Sequence, residues 1–270
     1  MLSIIIPALN EEKLLPLLLN SLARQTDKNF SVVVVDGQSK DKTVEIARSY
    51  GSKLRNLQVV VSPKASLPLQ RNLGAKASTG DWLAFVDADS ILFPQFVQRI
   101  QSFIETAHPQ LFTTWCRPDS EEAGDANIAL LYNMVLEMSI ILHRPFSPGP
   151  LTIVSRDVFA QLGGYDETRG YNEDVDFSIR AHKKHIPFHI IHETLYVWSL
   201  RRLRSHGTIK VAQQYILSAL PVLFLNRSFK YMPGYAMGGQ LYKKGKRLIG
   251  RATLKKYEEK LKNLVKEFIE

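Results

Sequence analysis

Four short β-branched runs, each ending on a turn or polar residue and followed by a helical pattern, constrain this chain more than any other feature. They are LSIIIP (2–7), SVVVVD (31–36), LQVVVS (57–62) and WLAFVD (82–87). Runs this apolar suit strands buried on both faces, and strand–helix alternation builds a parallel sheet covered on each side. Between the runs, EEKLLPLLLNSLARQ spaces its leucines helically, DKTVEIARSYG opens on an acid and stops at Gly51, and LQRNLGAKASTG stops at Gly80. The expected fold is α/β, a central mostly parallel sheet flanked by helices. In such sheets ligands bind outside the carboxyl ends of the strands, where Pro7, Asp36, Ser62 and Asp87 fall.

Farther on, the pattern predicts a helix from Pro94, a strand near QLFTTWC, a polar loop RPDSEEAGDAN and an apolar helix over about 128–142. A Pro/Gly turn, a short strand and a helix closed by Gly163–Gly164 follow. The next helix starts near Asn172 and runs to about Lys184. Beyond Gly207 helical patterns dominate, ending in an amphipathic helix from about Arg251. The 270 residues thus divide into a main domain, 1–206, with halves of about 1–92 and 93–206, and a helical extension, 207–270.

Composition narrows the classes. Cys116 is the only cysteine, which excludes an intrachain disulfide and a cysteine-rich metal site. The first apolar run is too short, and too soon followed by acids, for a secretory signal, so a cytoplasmic location is expected. IALLYNMVLEMSIIL and YILSALPVLFL are too short to cross a bilayer. A formal charge of +9 favours anionic partners without choosing among them.

Asp87 and Asp89 stand around one alanine just past the fourth run. Two carboxylates so placed repel each other unless a cation intervenes, and a divalent ion with oxygen ligands resolves this. Taken alone the pair also fits a turn acid beside a helix cap. Asp36, before Gly37, can accept hydrogen bonds from a base or ribose, or be a plain turn acid. Asn10 suits a helix N-cap. Arg71 and Asn72 lie one turn into a helix whose start points to the same edge; an arginine there can hold phosphate or lie exposed. In YNEDVDFSIR, Glu173 and Asp174 open a helix, and Asp176 is spaced to pair with Arg180. Asp174 suits a general base, although first-turn acids also simply favour the helix dipole. SLRRLRSHG gathers Arg201, Arg202, Arg204 and His206, fitting a diphosphate site or a solvated basic face. His206 is either a third metal ligand or a surface histidine.

In order, IIIPALNEE, VVVVDGQSKDKT, QRNLGAKASTGDWLAFVDADS, GGYDE and NEDVDFSIR resemble the inverting family 2 glycosyltransferases over about residues 2–205. The resemblance implies a Rossmann-like fold of the GT-A type, with a nucleotide-sugar half (about 1–92) and an acceptor half (about 93–206). It implies that Pro7, Ala8, Leu9 and Glu11 line the base and ribose pocket and that Asp36 reads the base. Arg71, Asn72, Arg201 and Arg202 would contact the nucleotide or its phosphates. Asp87 would meet ribose and metal, with Asp89 the direct ligand of Mn²⁺ or Mg²⁺. Asp174 would be the base, and Gly163, Gly164, Tyr165 and Glu173 would lie where the acceptor binds. The implied partners are a UDP- or GDP-sugar and a saccharide or lipid-linked acceptor, with no nucleic acid. Leu9 stands where many relatives place an aromatic, and the QxxRW element of processive synthases is absent.

Rival classes lack their motifs. No G-x-G-x-x-G follows the first run, as a dinucleotide oxidoreductase requires, and no G-x-x-x-x-G-K-[ST] occurs. A nucleotidyltransferase usually carries a glycine-rich basic loop where this chain has the acidic PALNEE. A non-catalytic binding protein would not need Asp36, Asp87, Asp89 and Asp174 together. The basic cluster LYKKGKR and the terminal amphipathic helix fit packing on the main domain or a partner copy, or contact with a membrane surface.

Overall fold

The computed structural model describes residues 1–54 and 56–207, apart from the His206 side chain. The expected helices of the extension, residues 208–270, lie outside the described residues.

The four apolar runs form β1 (Leu2–Ala8), β2 (Phe30–Asp36), β3 (Leu57–Val61) and β4 (Trp82–Val86). Every residue of β1 and β2 is buried, as the unbroken apolar runs require. The helices α1 (Leu15–Ala23), α2 (Thr43–Ser49) and α3 (Leu67–Ala77) connect them. The strands β5 (Ile91–Leu92), β6 (Leu111–Pro118), β7 (Leu151–Ser155) and β8 (Phe188–Trp198) complete one sheet. Helices α4 (Phe96–Ala107), α5 (Ala123–Ile141), α6 (Arg156–Gln161), α7 (Glu173–Lys183) and α8 (Arg201–His206) follow in chain order.

The strand order is β3-β2-β1-β4-β7-β6-β8-β5. From β3 to β4 the pairing is parallel, as expected. Past β4 the sheet is mixed, because β7 runs antiparallel to both β4 and β6. The long excursion between residues 87 and 150 returns the chain without a parallel crossover, which antiparallel pairing does not need. Two apolar clusters sandwich the sheet. One gathers Ile4, Ile6, Val32, Val34 and α1, and the other gathers Ile5, Phe85, Val154 and Phe177.

Three local expectations change. Asn10 does not cap α1, which starts at Leu15; Asn10 is left-handed at φ 54° and its Oδ1 accepts the Lys40 N–H at 2.7 Å. The turn over 11–14 intervenes because the Glu11 carbonyl accepts the N–H groups of Leu14 and Leu15. The acidic loop is shorter than expected, since α5 begins at Ala123. Asp89 caps no helix, because β5 separates it from α4.

Candidate active site

The loops after β1, β2 and β4, the start of α7 and the start of α8 meet at the carboxyl edge of the parallel strands. Pro7 and Ala8 are buried opposite Val35 and Asp36 in the β1–β2 register, and Leu9 is half-buried just beyond. Asp36 is buried; its Oδ2 accepts the Ser39 N–H at 3.1 Å. Its Oδ1 has no hydrogen-bond partner among the described residues. A buried acceptor left open at a strand end suits a donor arriving on a ligand.

Arg71 is the centre of the site. Its place on the inner stripe of α3, with Pro68, Gly74 and Ala75, leaves the side chain 1% exposed. One guanidinium nitrogen donates to Glu173 at 2.9 Å; the other donates to Asp87 at 3.2 Å and to the Gly149 carbonyl at 2.9 Å. The Tyr165 ring lies 5.0 Å from the guanidinium carbon. Arg71 is therefore not an exposed helix arginine: it ties the β4 edge to the start of α7. Asn72 is also engaged by protein. Its amide donates to the Tyr165 carbonyl and to Glu167, and its oxygen accepts the Tyr165 N–H at 2.8 Å. That contact explains Gly164 before Tyr165: at φ +70° it is left-handed, and a Cβ would lie 2.7 Å from the Asn72 oxygen.

Arg201, the first residue of α8, clasps the buried Glu11 with two nitrogens at 2.8 and 2.6 Å. Its Nε pairs with Asp89 at 2.8 Å. Each acid of the DAD triplet thus faces an arginine, Arg71 at Asp87 and Arg201 at Asp89. Burial pushes Asp87 up to about 6 while Arg71 pulls it down, and the charges of Asp89 and Glu173 push it up again. Burial likewise pushes Asp89 up to about 6, opposed by Arg201 and, more weakly, by Arg202. Two partly desolvated carboxylates that favour a nearby positive charge fit a divalent cation. No group of three or more His, Cys, Asp or Glu suited to a metal occurs among the described residues. Asp87 and Asp89 would hold the ion with help from substrate oxygens, as Mg²⁺-type sites commonly do. His206 as a third ligand rests on a side chain outside the described residues.

Asp174 sits in the first turn of α7, entered through the left-handed Asn172 at φ 55°. Its Oδ1 accepts the Val175 N–H at 2.8 Å, and a Cβ built on Gly149 would come within 2.9 Å of its Oδ2. The carboxylate is half-buried. Burial, and then the neighbouring Glu173 charge, push it up to about 7, with Arg71 acting against them. Asp176 pairs with Arg180 at 2.8 Å, as its spacing indicated. The sequence pattern did not single out Gly149 or the Arg71–Glu173 and Arg201–Glu11 pairs. For Gly149 the signal was only a turn in SPGP.

A family model for glycosyl transferase family 2 matches residues 3–163. The chain belongs to that family. A curated Haemophilus influenzae protein described as an uncharacterized glycosyltransferase is 29% identical over 184 residues, 67% of this chain and 61% of the relative. The chain therefore spans less than two thirds of that relative's length. The fold is similar to S. aureus TarS 1-349 in complex with UDP-GlcNAc, with a TM-score of 0.62 at 20% identity over 84% of this chain and 73% of that one. It is also similar to the mannosyltransferase PcManGT from Pyrobaculum calidifontis in complex with GDP-Man and Mn²⁺. That likeness has a TM-score of 0.60 at 17% identity, over 80% of this chain and 64% of that one. What the two structures share with this chain is the Rossmann-like α/β architecture described above.

Proposed function

We propose that the protein is an inverting, metal-dependent glycosyltransferase moving a sugar from a UDP- or GDP-sugar to a hydroxyl or phosphate of a saccharide or lipid-linked acceptor. The observation that carries the reading is the pairing, through Arg71, of the Asp87/Asp89 edge with a second carboxylate centre at Glu173–Asp174. Family membership, and the nucleotide sugars held by the two structural relatives, support it.

On this reading the base and ribose lie over Pro7, Ala8 and Leu9, with the open Oδ1 of Asp36 accepting from the base. Asp87 and Asp89 would hold a divalent cation, which when bound supplies positive charge to the departing diphosphate. Arg201 and Arg202 stand at the same end. Arg201, held beside Asp89 by the buried Glu11, would place positive charge next to the diphosphate. Asp174 Oδ2 accepts the acceptor's proton as its oxygen attacks the anomeric carbon opposite the leaving group. Gly163, Gly164 and Tyr165 shape the acceptor side by positioning Asn72 and α7.

Thermal unfolding with UDP- and GDP-sugars, each with and without Mn²⁺ or Mg²⁺, tests the donor assignment. A cognate nucleotide at a hundredfold excess over its dissociation constant stabilises by about 2.7 kcal/mol. The stabilisation is expected to require the metal, and Asp89→Asn is expected to remove that requirement together with most of the gain. No stabilisation by any nucleotide sugar would sink the reading. Gly149→Ala tests the acceptor side. The added methyl would lie 2.9 Å from Asp174 Oδ2 and must displace it, so transfer is expected to fall, by at most the roughly 100-fold that a 1 Å misplacement costs. Nucleotide affinity, measured by calorimetry, is expected to hold.

A further inference from the structure

The largest unexplained feature of the described surface is the outward side of α5. Leu130, Leu131, Met134, Val135, Met138 and Ile141 are each between 46% and 66% exposed and follow the four-residue spacing of one helix face. The opposite side is apolar too, with Ala129 and Leu136 buried in the domain. A helix apolar on both faces has a second surface to cover, and a contiguous exposed patch of this kind marks an interaction site. The polar side chains within the span are turned to the protein. Asn133 bonds the Cys116 backbone, and Glu137 accepts the Trp115 indole N–H at 2.8 Å.

We propose that this face of α5 docks on an anionic lipid surface. Two observations choose that occupant. The face carries no Tyr, Trp or Arg, the residues in which protein interfaces concentrate their binding energy; acyl chains accept Leu, Met, Val and Ile without a matched partner shape. The charge is also distributed to suit. Residues 1–207 hold 22 Lys and Arg against 22 Asp and Glu, while 208–270 hold 13 against 4. The whole formal charge of +9 therefore lies in the segment that leaves the described fold at Gly207. Its point of departure is beside α5: Leu200 and Leu203 pack with Ile128, and Arg204 reaches Asp125 at 2.8 Å. The chain thus leaves the described fold beside the apolar face and carries its excess positive charge in the sequence beyond that point; an apolar face combined with basic charge is what holds a protein on anionic lipid. No helix among the described residues is long and apolar enough to span a membrane, so α5 lies in the surface plane.

Docking would also orient the site. From Ile141 to Gly149, which touches Arg71 and lies against Asp174, is eight residues, at most about 29 Å of chain. The lipid surface then borders the acceptor side, and the acceptor is one presented at that surface. This last step rests on the transferase reading, whereas the docking itself does not.

The full-length chain with Met134→Cys, labelled with an environment-sensitive fluorophore, tests the docking; the native Cys116 is buried. Vesicles of equal phosphatidylglycerol and phosphatidylcholine are expected to shift the label's emission to the blue and to pull the protein down on sedimentation, and pure phosphatidylcholine to do neither. Leu131→Glu and Met138→Glu, on exposed positions, are each expected to lower partitioning about tenfold. Nucleotide-sugar affinity should be unchanged, which separates this test from that of the reaction. Failure of the wild type to partition, equal binding to neutral vesicles, or partitioning indifferent to both substitutions overturns the proposal. So does a label already blue-shifted without vesicles. A shift growing with protein concentration would assign the face to a second copy, and a constant one to the chain's own C-terminal residues.

Discussion

Asp174→Asn is expected to lower sugar transfer by 10²–10⁴-fold, the range attached to a positioned general base, with nucleotide affinity unchanged. The isostere keeps the Oδ1 that accepts the Val175 N–H, so the start of α7 retains its shape. It removes only the proton-accepting charge. The wild-type pH profile follows with a definite sign. Because burial and Glu173 push Asp174 up to about 7, the base is protonated and idle below that pH. Transfer should therefore fall as pH drops through about 7, with the limb moved to lower pH when a divalent cation sits near Asp87. The residual activity of the Asn variant should lack this limb. Initial rates from pH 5 to 9, with calorimetric nucleotide titrations of both proteins, check the claim. Equal loss of binding and turnover would remove Asp174 from the chemistry.

Much of the donor half was legible because its physics is local. Unbroken apolar runs gave β1, β2, β3 and β4 to within one residue of their observed ends. The strand-end rule then collected Asp36, Asp87 and Asp89 at one edge before any contact was known. The mixed outer sheet was not legible, since β7 and β8 carry the same β-branched signal whichever way they run. Nor were the arginine partnerships. Arg71 read alone is an ordinary helix arginine, and its Glu173 partner lies 102 residues away. A weak signal existed: Arg71 shares the inner stripe of α3 with Gly74 and Ala75, where an exposed arginine has no place. For Arg201, 190 residues from Glu11, nothing local points to the partner. Long-range charge pairing is decided by the fold, and only the presence of the charges is written in the sequence.

Arg71→Met is expected to destabilise the protein by about 3–5 kcal/mol, the cost of leaving a buried charge without its partner. At the described domain's size that corresponds to a melting-temperature drop of roughly 10 °C. Glu173, 5% exposed, loses its ion pair, Asp87 loses its nearest cation, and the Gly149 carbonyl loses a donor. Methionine fills much of the same volume and can keep the contact with the Tyr165 ring, so the loss is electrostatic rather than a cavity. Arg71→Met/Glu173→Gln separates the contributions, because neutralising Glu173 removes the larger uncompensated charge. The double variant should recover a substantial part of the loss, giving a coupling energy above about 1 kcal/mol in a double-mutant cycle. A solvated phosphate-binding arginine predicts the opposite: a single variant as stable as wild type, no coupling to Glu173, and a defect confined to nucleotide affinity. Chemical denaturation of the four proteins decides between an arginine that holds the two halves of the site together and one that waits for the substrate.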